Sequence, residues 1–174
     1  MTRIKAAVKQ DHALIKDLYH RLRDADPESR DPDEFVWALG RYLIVEDLVL
    51  TPALENHIAN GGARHRRLSN DFDSITTKLR HMRRFDPSEP SFDAALTAIW
   101  VDLEPHVREE ATMDLDDLEQ HLSHEESTAL GKKYEDIKEL LQHPYGKNGV
   151  PDGDTLSAIL DLSRQELMIK IGLF

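Results

Sequence analysis

Apolar residues return every three or four positions along five successive stretches of this chain, and short polar breaks divide the stretches. That period is helical, because 3.6 residues per turn puts i, i+3, i+4 and i+7 on one face. The first stretch, about residues 2–24, ends in Asp26-Pro27-Glu28-Ser29. The second opens at Asp31-Pro32-Asp33, a capping side chain followed by proline in the first turn. It runs to about Ile58 and stops at Asn60-Gly61-Gly62, which has the composition of a helix C-terminus. The third covers about residues 63–84, and the fourth runs from about Ser91 to Leu122. A fifth follows Ser123, whose reciprocal capping partner is Glu126, and reaches about Gln142. Long helices with short connections predict an all-α, antiparallel up-down four-helix bundle over residues 1–143. Residues 144–174 are expected to be a Pro/Gly-rich loop and an apolar C-terminal helix, Leu156 to Leu173, packed on the bundle or offered to a partner.

With 174 residues, 40% of them hydrophobic, the chain suits one domain with a core of its own. A formal net charge of -11 argues against nucleic acid or an acidic membrane surface as partner and suits a protein that concentrates cations. The absence of cysteine excludes disulfides, iron–sulfur clusters and thiol catalysis. Met1–Gln10 lacks the apolar region of a secretory signal, and no run approaches the ~18 apolar residues of a membrane span. A cytoplasmic address is the expectation.

The core stripes carry the chemistry. They read Ile4, Val8, His12, Ile15, Leu18 or Tyr19, Leu22 in the first helix and Phe35, Leu39, Tyr42, Glu46, Val49, Ala53 in the second. The third gives His65, Leu68, Phe72, Ile75, Leu79, Met82, and the fourth Leu96, Ile99, Leu103, His106, Glu110, Met113. Each stripe is interrupted by a side chain able to bind metal. A single inward histidine is commonly a satisfied core residue, but a buried carboxylate must be paired, protonated or metal-bound. Glu46 and Glu110 each lie four residues after a second donor, Tyr42 or His106, on the same helix face. No Lys or Arg falls on these stripes to neutralise them. Cations shared by both carboxylates resolve the conflict, and nitrogen and oxygen donors without sulfur suit iron or manganese, with zinc as a further option.

These residues resemble the hemerythrin-like, HHE cation-binding family, whose pattern is His on helix one, His-xxx-Glu on helix two, His on helix three and His-xxx-Glu on helix four. The matching segments are Asp11-His12, Tyr42-Leu43-Ile44-Val45-Glu46-Asp47 with Leu50-Thr51-Pro52-Ala53-Leu54, Gly61-Gly62-Ala63-Arg64-His65 and His106-Val107-Arg108-Glu109-Glu110, within about residues 1–125. The resemblance implies two iron ions, oxo- or hydroxo-bridged, with Glu46 and Glu110 as bridging carboxylates, His65 and His106 on one iron and His12 on the other. Tyr42 stands where the family has histidine; it is read as a phenolate ligand, with a core aromatic as the alternative. An anionic oxygen donor favours Fe(III), which suits peroxide chemistry better than reversible oxygen carriage. The mycobacterial-type members that the chain resembles point the same way, towards a catalase-like oxidoreductase in which Tyr42, Glu46 and Glu110 act catalytically. The competing function is binding or sensing of iron, O2 or nitric oxide without turnover; a metal-free interaction module is a third, and the protein partner is left open.

The remaining histidines, His20, His57, His81, His121, His124 and His143, are expected at the surface, with His121 and His124 as reserve ligands. Asp47 and Glu109 are expected to orient a ligand histidine, Arg64-His65-Arg66-Arg67 to be a solvated face around one inward imidazole, and Pro105 to kink its helix and aim His106.

Overall fold

Helices account for the architecture of the computed structural model, which describes residues 1–142, 158–159 and 161–170. They are α1 (Ile4–Asp24), α2 (Asp33–Val45), α3 (Thr51–His57), α4 (Gly61–Met82), α5 (Pro90–Glu109), α6 (Leu115–His121), α7 (His124–Gln142) and α8 (Arg164–Lys170). A single turn of π-helix, Glu46–Leu50, joins α2 to α3, and another, Glu110–Asp114, joins α5 to α6. The bundle is therefore four rods, α1, α2–α3, α4 and α5–α6, with α7 laid against α1 and α2.

Local signals set most boundaries. The Asp31 carboxylate accepts from the Asp33 amide at 3.0 Å at the start of α2, and Pro90 occupies the first turn of α5. Ser123 and Glu126 cap one another, at 3.2 Å and 2.7 Å, to open α7. Gly61 departs from expectation. Rather than ending the second rod, which stops at His57 with Ile58 extended, it begins α4. A Cβ there would lie 2.5 Å from Glu55 Cα and 2.5 Å from Leu54 O, so the missing side chain lets α4 close onto α3.

α2 is buried on every side from Phe35 to Val45, because α7, outside the four rods, covers a face that α1 and α4 leave open, and Ile159 and Leu162 lie over Gly40, Leu43 and Ile44. Each fully buried Leu or Ile contributes roughly 1.5–3 kcal/mol, and the apolar lining as a whole offsets the cost of the carboxylates set within it. Antiparallel register between α4 and α5–α6 is read from a ladder of side-chain contacts: Lys78 with Asp102, Asp71 with His106, Arg67 with Asp114 and Arg64 with Asp117. α5 continues through Pro105 without a break. In the C-terminal part, Ile159 is buried and, with Leu162, closes a groove lined by Leu43, Ile44, Phe72 and Thr76, while Asp161 pairs with Arg80 at 3.2 Å. Much of the loop and helix expected at 144–174 lies outside the described residues. No helix among the described residues is long and apolar enough to cross a membrane.

Candidate metal centre

Three rods deliver five donors to one point midway along the bundle. α1 supplies His12, α2 supplies Tyr42 with Glu46 one turn later, and α5 supplies His106 with Glu110 one turn later; all five are buried. Both glutamates open a π-turn. The amide of Thr51 bonds to the Glu46 carbonyl and that of Leu115 to the Glu110 carbonyl, five residues apart instead of four. The wider turn inserts an extra residue into the helix at the level of the cluster, a common device at functional sites.

The donors are in mutual contact. The Tyr42 hydroxyl donates to Glu110 Oε2 at 2.5 Å and lies 3.1 Å from His106 Nε2 and 3.3 Å from His12 Nε2. His12 Nε2 is 2.5 Å from Glu110 Oε2, and His106 Nε2 is 3.1 Å from Glu46 Oε2. Ligand-capable atoms of Glu46, His106 and Glu110 all fall within 4.8 Å of one another. The second oxygens, Glu46 Oε1 and Glu110 Oε1, are buried with no hydrogen-bond partner among the described residues. Unpartnered carboxylate oxygens in a dry core are costly unless a cation takes them.

Electrostatics repeat the point. Burial, then the charge of Glu110, push the Glu46 carboxyl up to about 8, against the pull of His106. Burial opposes ionisation of Glu110 too, but the His12 hydrogen bond and the His106 and His12 charges hold it below its usual range. Burial also disfavours the His106 imidazolium, yet Glu46 and Asp71 outweigh it and hold the ring well above its ordinary value. Burial and Glu110 keep the Tyr42 phenol protonated. Without a cation the cluster is thus held together by shared protons; with one, both carboxylates ionise and the imidazoles and the phenol can turn to the metal.

His65, expected among the ligands, is not brought to this point. Its side chain is 37% exposed and its Nδ1 lies 2.9 Å from Glu55 Oε2 on α3. On α4 it is instead Arg64 and Arg67 that reach the α5–α6 rod, where both pair with the fully buried Asp114, so the basic run is not merely a solvated face. Met113, expected inward, is instead exposed, because the extra residue of the π-turn holds back the helical phase and leaves Asp114 inward in its place. The group that orients His106 is Asp71, whose Oδ2 lies 2.9 Å from Nδ1. Glu109, proposed for such a task, pairs with Arg67 at 3.8 Å. His57, His81, His121 and His124 are exposed as expected, and His143 lies outside the described residues. Asp71 had a weak signal, one of two acidic residues flanking Phe72 of the third stripe, and Asp114 had the i, i+4 spacing from Glu110 that marks a shared helix face.

A helical bundle whose core gathers imidazoles and carboxylates from several rods is a common setting for metal binding. Residues 3–133 match the family described as the hemerythrin HHE cation binding domain. The chain belongs to that family. It is 28% identical over 158 residues to an uncharacterized hemerythrin-like protein of Schizosaccharomyces pombe, covering 87% of this chain and 78% of that one. Its fold is similar to the crystal structure of a hemerythrin HHE cation binding domain-containing protein from Mycobacterium kansasii, an Rv2633c homologue, with a TM-score of 0.65, 22% identity and coverage of 98% and 99% of the two chains.

Proposed function

We propose that this chain holds two iron ions among His12, Tyr42, Glu46, His106 and Glu110 and decomposes hydrogen peroxide there. The observation that carries this reading is the place of Tyr42, whose phenol oxygen is within 3.3 Å of both imidazoles and of Glu110, where the family pattern has a histidine. The donor set fits iron: nitrogen and oxygen without sulfur, with two orphaned carboxylate oxygens free to reach a second ion. Bound there, the ions supply the two-electron redox capacity that peroxide dismutation requires.

The chain's own groups do the rest. Glu46 and Glu110 would help to hold the ions and balance their charge. Asp71 accepts from His106 Nδ1, which leaves Nε2 free to ligate and fixes the ring plane. Tyr42, once its proton is displaced, is an anionic donor that favours the ferric state. Burial of the cluster limits access to molecules of a few atoms, the class to which peroxide, O2 and nitric oxide belong.

Metal analysis with an oxygen electrode tests the proposal. Purified protein is expected to retain about two irons per chain, in keeping with carboxylate-bridged bundle sites, and to release one O2 for every two peroxides consumed without losing iron. Bound iron that leaves peroxide untouched, yet binds O2 or nitric oxide reversibly, would replace turnover with carriage or sensing.

A further inference from the structure

α7 brings to the site a phenol that lies outside the ligand pattern. Tyr134 is fully buried, and its hydroxyl donates at 2.7 Å to Oδ2 of Asp11, itself buried. Lys138, one turn further along α7, donates to Asp11 Oδ1 at 2.8 Å and reaches the surface. Asp11 immediately precedes His12, so α1 presents a carboxylate to Tyr134 and an imidazole to the cluster from adjacent positions. α7 also packs on the π-turn that Glu46 opens. The phenol is therefore bonded to the residue beside His12, on a helix that covers the turn carrying Glu46.

A structural pin between α1 and α7 accounts poorly for this arrangement. Apolar packing already joins the two helices, and a buried polar triad is commonly no more stabilising than hydrophobic residues of the same volume. The arrangement does suit removal of an electron from a phenol in a dry interior. Losing the electron alone would leave a cation in an apolar setting, which is strongly disfavoured; losing the proton with it does not.

We propose that Tyr134 is a one-electron donor to the metal centre, with Asp11 as its proton acceptor. The proposal rests on the peroxide reading above. Reduction of one peroxide to two waters takes two electrons and two protons. An external one-electron reductant of the ascorbate or thiol class supplies the first electron, and the Tyr134 ring would supply the second to the centre left one electron short. The phenolic O–H bond breaks, and the proton crosses the existing hydrogen bond to Asp11 Oδ2. A phenol and a carboxylate become a neutral phenoxyl and a neutral carboxyl, and the electron now resides on the metal. A second equivalent of the external reductant returns the electron to the ring, and the proton goes back from Asp11. This adds a peroxidase-type discharge route to the dismutation.

The test is electron paramagnetic resonance on the iron-loaded full chain, frozen milliseconds after mixing with hydrogen peroxide, with iron measured on every sample. A tyrosyl signal is expected, narrowed by ring-deuterated tyrosine, lost to background in Tyr134→Phe and reduced several-fold in Asp11→Asn at equal iron content. A signal unchanged in Tyr134→Phe, or lost instead in Tyr19→Phe, whose ring stacks on Trp100 at 4.1 Å, overturns the assignment. So does peroxide consumption with no radical, an outcome that leaves the peroxide reading standing. Iron-loaded protein inert to peroxide overturns both readings.

Discussion

Replacing Glu46 with glutamine should stabilise the metal-free protein in mild alkali, leave it unchanged in acid, and abolish metal retention. In the metal-free protein burial and Glu110 raise the Glu46 carboxyl from 4.5 to about 8. Between those values the native state keeps a proton that the unfolded chain has lost, so stability falls as pH rises through the window. Below it both states are protonated, and glutamine changes little. At about 1.4 kcal/mol per unit, the rise sets a ceiling on the order of 5 kcal/mol for the penalty that glutamine removes. That value already contains the pull of His106, 3.1 Å away. A gain of about 2–4 kcal/mol, below the ceiling, is expected, the scale of a buried charge relieved of its cost. Urea unfolding of both metal-free proteins at about pH 4.5 and about pH 8.5 measures it, and added iron should then stabilise the wild type alone. An equal difference at the two pH values would refute the reasoning, because it would mean that Glu46 titrates as an ordinary carboxyl.

Other substitutions probe the remaining groups. Tyr42→Phe should bleach the visible charge-transfer band of the oxidised iron-loaded protein and keep the fold; an unchanged spectrum would leave Tyr42 a core aromatic. Asp71→Asn should weaken metal retention by about 10–100-fold in a chelator competition, since the acceptor that aims His106 is lost; unaltered affinity would show that the Asp71 bond does not matter to the site. His65→Ala should leave the iron content at the wild-type level, and loss of an iron would restore His65 as a ligand.

Much of the site was legible because its signals are local. Tyr42 with Glu46, and His106 with Glu110, are i, i+4 pairs, and a pair four residues apart shares a helix face whatever the helix packs against. His12 likewise sits on its own stripe between Val8 and Ile15. The same logic misplaced Met113, because one π-turn shifts the phase of every residue after Glu110 and leaves no mark in the apolar pattern.

Periodicity and caps by themselves determined that this chain forms long amphipathic helices, and that Tyr42, Glu46, His106 and Glu110 point inward, since those properties depend on residues within one turn. Tertiary structure decided what meets across helices. Gly61 seats α4 against α3, and the resulting offset sets Asp71, rather than His65, opposite His106. Asp11 and Tyr134 are 123 positions apart and become partners only when α7 covers α1. Axial offset and helix rotation depend on packing and loop closure summed over the whole bundle, and no short stretch of sequence contains that sum.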